Sequence, residues 1–138
     1  MNEIKPIVLP TESAAQKMIG YVVETTEDGS GLCWLDVRSD HINRIGVVHG
    51  GIVSVLLDSA SGTVARASLN PDMSQAVATV SLTVNFASSA REGRITARGR
   101  VTGGGRKLIF VDAVLQDEAG TVLATSTGVF KRLSKPNA

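Results

Sequence analysis

A chain of 138 residues is one domain by length and can bury a core without staples. Its net charge of +1 excludes a strongly basic nucleic-acid binder, and no apolar run approaches the ~18 residues of a membrane-spanning helix. Cys33 is the single cysteine, which excludes an internal disulfide and a cysteine-based metal site.

Met1 to Pro10 has no basic start followed by an apolar run, so no signal peptide is expected and a cytoplasmic protein is. Thr11–Lys17 reads as a short helix with Thr11 as N-cap. Ile19–Thr26 is rich in β-branched residues and reads as a strand. The turn cluster Glu27-Asp28-Gly29-Ser30-Gly31 follows. Leu32–Arg38 alternates, with Cys33, Leu35 and Val37 on one face, and completes a hairpin.

Asp40–Val48 has no period and reads as loop. Gly50–Leu69 then has helical spacing through Ile52, Val55, Leu56, Ser59, Ala60 and Thr63. Val53, Leu57 and Val64 fill its flanks. A helix so apolar all round belongs inside a domain, and twenty residues make it roughly 30 Å long. After Asn70-Pro71-Asp72, four strands are expected: Ala76–Phe86, Arg94–Thr102, Lys107–Gln116 and Thr121–Leu133. The second alternates most cleanly, with Ile95, Ala97, Gly99 and Val101 opposite Arg94, Thr96, Arg98 and Arg100, so one face is buried and the other wet. Gly103-Gly104-Gly105 and Asp117–Gly120 are the turns, and Lys135–Ala138 is a loose tail. The plan is α+β, an antiparallel sheet packed on one long helix.

Charge divides along the chain. Residues 1–90 hold five Lys and Arg against nine Asp and Glu, whereas residues 91–138 hold nine against four. The basic part is either a solvated face or a docking surface for an anionic ligand.

Asp58 is the anomaly: a poor helix former among Val55, Leu56, Leu57 and Ala60. A carboxylate there either points at solvent or an arginine, or faces a cleft as base or nucleophile. Val48-His49-Gly50-Gly51 opens the same helix, where free N–H groups at the positive dipole end can hold an oxyanion. The plainer role of the two glycines is a tight turn. Gly50 and Asp58 are eight residues apart, about 12 Å along the axis, too far to grip one carbonyl carbon from both sides. If both serve one site, two helices contribute, one from each subunit.

Asn43-Arg44-Ile45-Gly46-Val47-Val48-His49-Gly50-Gly51, with Leu57-Asp58-Ser59-Ala60 after it, resembles the signature of hotdog-fold acyl-CoA thioesterases. By motif it is similar to the phenylacetate-pathway (PaaI-type) and 4-hydroxybenzoyl-CoA groups, over about residues 18–132. An aspartate at position 58, where other branches carry glutamate, favours the first. The resemblance implies one hotdog domain, a sheet wrapped around the central helix, and a homodimer or homotetramer built as a dimer of dimers. It implies hydrolysis of an acyl-CoA to free acid and CoA, with no cofactor besides the CoA of the substrate, no metal, no nucleic acid and no membrane.

By position, the resemblance assigns Gly50 N–H to the thioester carbonyl, Asn43 to assist there or bind water, and His49 to shape the turn and touch substrate. Asp58 of the other subunit would be general base or nucleophile, and Thr79 would orient water or acid. CoA phosphates would fall near Ser88, Ser89, Arg91, Gly105, Arg106 and Lys107, and Ile52, Val53 and Leu56 would line the acyl pocket. The alternative is a non-catalytic hotdog module that binds acyl-CoA or a partner protein.

Overall fold

The computed structural model of the protein describes residues 12–25 and 30–134. The Thr11 cap, most of the 27–31 turn and the tail at 135–138 lie outside them. In chain order the described elements are helix α1 (Ala14–Ile19), strands β1 (Val22–Thr25) and β2 (Gly31–Asp36), a short 3-10 helix (Ser39–His41) where the start of the 40–48 segment is expected as loop, helix α2 (Gly50–Leu69), and strands β3 (Val77–Phe86), β4 (Arg94–Gly104), β5 (Leu108–Gln116) and β6 (Val122–Arg132). Among the described residues the six strands form one antiparallel sheet in the order β1-β2-β4-β5-β6-β3. The long helix lies against it, as the alternating strands and the single apolar helix predict.

The first strand starts later than its composition suggests. Ile19 ends α1, and Gly20 caps it at φ 89° with its N–H on the Gln16 carbonyl, a left-handed stop that frees the chain to extend only from Val22. Ser13 is the observed N-cap, its Oγ accepting from Gln16 N–H at 3.1 Å. At the other glycine cluster, Gly103 and Gly104 stay in β4, paired with Phe110 and Ile109. The turn closes over Gly105–Lys107, where Gly105 N–H donates to the Leu108 carbonyl at 2.8 Å.

By length and hydropathy α2 could cross a membrane, yet half of that stretch is buried inside the domain. Leu56, Leu57, Ala60, Val64 and Ala65 pack on Cys33, Leu35, Ile95, Ala97, Val111 and Phe130. Gly31 and Gly99 are register partners on β2 and β4. A Cβ on Gly99 would lie 3.1 Å from the Ala60 carbonyl oxygen, and one on Gly31 2.8 Å from Thr63 Cγ2. These two glycines let helix and sheet approach closely.

Burial does not run all the way round. Ile52, Val55, Asp58, Ser59, Gly62 and Arg66 are only half-buried and follow one flank of α2. The same side of the molecule ends in β3. Among the described residues this strand pairs only with β6, and its Val80 and Phe86 are 58% and 60% exposed. A ten-residue edge strand with exposed apolar side chains is a surface that proteins cover.

Candidate active site

The loop before α2 is built by side chains that hold its backbone. Asn43 Oδ1 accepts from Ile45 and Val47 N–H at 3.1 and 3.2 Å, and Gly46 takes φ 88°. An Asx-type turn followed by a left-handed residue is the physical content of the Asn-x-x-Gly spacing. The Asn43 backbone N–H reaches the Val47 carbonyl, and His49 N–H donates to the His41 carbonyl at 2.8 Å. The segment therefore doubles back and delivers the chain to the first turn of α2. Val48 N–H fastens it to the Ala90 carbonyl at 2.9 Å.

His41 is the anchor that sequence reasoning missed. It is 2% exposed; its Nδ1 accepts from Arg38 N–H at 3.0 Å and its Nε2 lies 2.7 Å from the Ile19 carbonyl. Both contacts are met when Nδ1 accepts and Nε2 carries the proton. An aperiodic loop gives no sign of burial, so pattern alone left this histidine unmarked.

His49 is the N-cap of α2: its Nδ1 accepts from Gly51 N–H at 2.8 Å. A Cβ on Gly51 would sit 2.9 Å from that nitrogen, so the second glycine keeps the cap open. With Gly51 N–H occupied by His49, the Gly50 N–H meets no acceptor among the described residues. It opens into a cleft of about 180 Å³ lined by Asn43, Val53, Phe86, Ser88, Ser89 and Leu123, among others. A Cβ on Gly50 would lie 3.3 Å from the Phe86 ring, so that ring covers the helix start. Asn43 and Gly50 thus share one cleft, as expected, and the Asn43 Nδ2 is without a partner among the described residues.

Asp58 faces a second cleft, of about 360 Å³, with Ser59, Gly62, Arg66 and Thr79 among its lining. Thr79 Oγ1 donates to Asp58 Oδ1 at 2.7 Å, so the structure brings these two residues together. Asp58 Oδ2 has no partner among the described residues. The carboxylate is half-buried rather than enclosed in the apolar core.

The two clefts belong to opposite ends of β3: Phe86 stands at the Gly50 end and Thr79 at the Asp58 end. A single chain therefore holds Gly50 and Asp58 in separate clefts. The proposed phosphate contacts divide the same way. Ser88 and Ser89 line the Gly50 cleft, and Arg91 lies over Gly46. Gly105, Arg106 and Lys107 lie at the far end of β4, where Arg132 N–H meets the Lys107 carbonyl, roughly 30 Å away at the rise of a strand. One chain does not bring them together. Arg94 is already committed: it donates to both Asp36 oxygens at 2.8 and 3.0 Å and holds that carboxyl below its ordinary range. Of the expected acyl-pocket residues, Val53 lines the Gly50 cleft, Ile52 packs against the core from the flank, and Leu56 is wholly buried in that core.

A family model described as "Thioesterase superfamily" matches residues 45–124. A Saccharolobus solfataricus protein described as a "Putative esterase" is 29% identical over 112 residues, covering 81% of this chain and 78% of its own. A Bacillus halodurans protein crystallised with CoA superposes with a TM-score of 0.82 at 23% identity, over 91% of this chain and 82% of that one. The PaaI protein of the Escherichia coli phenylacetic acid degradation operon superposes with a TM-score of 0.79 at 18% identity, over 89% and 86%. The fold is the hotdog fold.

Proposed function

This chain belongs to the thioesterase superfamily, and from that premise we propose that it hydrolyses an acyl-CoA to the free acid and CoA at sites shared between two subunits. The observation that carries this reading is the placement of the two groups, each half of a site, at opposite ends of β3, an edge strand among the described residues. Antiparallel pairing of β3 with β3 of a second copy, about a two-fold axis near its middle, sets the Phe86 end of one strand beside the Thr79 end of the other. Gly50 of one protomer then approaches Asp58 of its partner. The same operation brings the Ser88–Arg91 segment of one protomer toward the Gly105–Lys107 turn of the other. It also covers Val80 and Phe86. A dimer, or a tetramer of two such dimers, follows.

In each shared site the Gly50 N–H, with Asn43 Nδ2 beside it, donates to the thioester oxygen and to the oxyanion that forms on it. Asp58, held by Thr79 through Oδ1, uses Oδ2 to take a proton from the attacking water; direct attack by the same oxygen, through a mixed anhydride, uses the same geometry. The thiolate of CoA leaves and the carbonyl carbon gains the hydroxyl.

Release of free thiol from a panel of aromatic, short and medium acyl-CoAs tests the reading. The expected result is catalytic thiol release from at least one class. Saturable binding across the panel without release would instead make the protein an acyl-CoA-binding module. Cys33 does not obscure the assay: it is fully buried, and burial pushes its thiol up to about 12, which leaves little thiolate at neutral pH.

A further inference from the structure

The cleft that holds Asp58 continues along α2 past the reacting end. Asp58, Gly62 and Arg66 stand one helical turn apart on the same face, and all three line it, as do Tyr21 and Val23 of the β1 region. Gly62 lies mid-helix, where glycine costs about 1 kcal/mol relative to alanine. Its φ is not positive, and a Cβ there would meet only Phe130 Cε1, at an ordinary 3.7 Å. Neither backbone geometry nor close packing calls for glycine; what it leaves is room beside the carboxylate.

Arg66 closes the far end. Its Nε and Nη2 donate to the Gln75 and Met73 carbonyls at 3.2 and 2.5 Å, so the guanidinium is held in place by neutral partners. Its Nη1 has no acceptor, and no carboxylate pairs with it among the described residues. A cation that is half-buried, fixed and without a counter-charge among the described residues, in a cleft that begins at the proposed base, is a site for an anion.

We propose that this arm receives the acyl group, and that the preferred acyl groups end in a carboxylate bound by Arg66. The inference rests on the acyl-CoA reading above and names its substrate class: thioesters of dicarboxylic acids, hydrolysed at one end and recognised at the other. The two turns from Asp58 to Arg66 span about 12 Å between backbone positions. A short diacid chain fills the interval past Gly62, between the carboxylate and the guanidinium that line the cleft.

The test compares kcat/KM for adipoyl-CoA and hexanoyl-CoA, which share the CoA moiety and chain length and differ in the terminal carboxylate. The wild-type protein is expected to favour adipoyl-CoA by ten-fold or more. Arg66→Gln should bring the ratio near one, and Arg66→Lys should restore part of it. Gly62→Leu, which leaves the Arg66 contacts alone, should lower kcat/KM for adipoyl-CoA at least ten-fold more than for acetyl-CoA. Hydrolysis of hexanoyl-CoA with no preference for the diacid would overturn the inference and leave the thioesterase reading standing. So would an Arg66→Gln variant that raises KM equally for both substrates with the ratio intact, since that places Arg66 on CoA itself. No thiol release from any acyl-CoA would instead remove the reading on which the inference stands.

Discussion

Asp58→Asn is expected to lower kcat by about 10²–10⁴-fold with little change in KM or in Tm. The substitution keeps the size of the side chain, and the amide oxygen can still accept from Thr79 Oγ1 as Asp58 Oδ1 does at 2.7 Å. What it removes is the unpartnered Oδ2 and the negative charge. A merely structural carboxylate would give a different pattern: loss of Tm together with activity, or loss of neither. The side chain has no ion pair among the described residues, so folding has little to lose by its neutralisation. Steady-state kinetics beside thermal unfolding of the same preparation separate the cases, and unchanged turnover would remove Asp58 from the chemistry.

Gly50→Pro is expected to lower kcat by about 10²–10³-fold while α2 still forms. Proline suits the first position of a helix because its fixed φ matches and its missing N–H would have no intrahelical partner anyway. His49, at φ −58° and ψ 134°, is already in the conformation tolerated before proline. The Gly50 N–H has no acceptor among the described residues, so the variant deletes a donor aimed at substrate and adds a Cβ 3.3 Å from the Phe86 ring. Gly50→Ala is the control. It sets a Cβ 3.3 Å from the Phe86 ring but retains the N–H, and should lose far less activity. Equal losses in both variants would mean that crowding of Phe86, not the amide, accounts for the effect.

Much of this was legible before any coordinates. The alternation of Ile95, Ala97, Gly99 and Val101 against Arg94, Thr96, Arg98 and Arg100 gives β4 its faces as far as Gly99, because a period of two carries over into inside and outside; Val101 is exposed instead, where the register with β5 shifts. The helix at 50–69 follows from its apolar period and the glycines before it. Asp58 stood out because a charge in an apolar helix asks for an explanation. Three things were hidden. Gly20 ended a helix and delayed a strand through a left-handed cap, which composition does not distinguish from a turn between strands. His41 is buried by its contacts with the Ile19 carbonyl and Arg38 N–H, and backbone partners leave no mark in the sequence. Arg66 reads as an ordinary basic residue near a helix C-terminus; only the fold places it in the Asp58 cleft. The phosphate-binding candidates illustrate the limit of motif position: they are gathered by function and divided by the length of β4.

The most direct measurement of the shared-site claim mixes two inactive proteins. Asp58→Asn keeps a sound Gly50 end, and Gly50→Pro keeps a sound Asp58. After denaturation and refolding together, random pairing about a two-fold axis gives heterodimers in which one site has both intact halves and the other neither. The account predicts recovery of about a quarter of wild-type activity per total protomer, from parents that each have almost none. Activity no greater than the average of the two parents, with heterodimers demonstrated in the sample, would contradict it and require both groups to act within one chain.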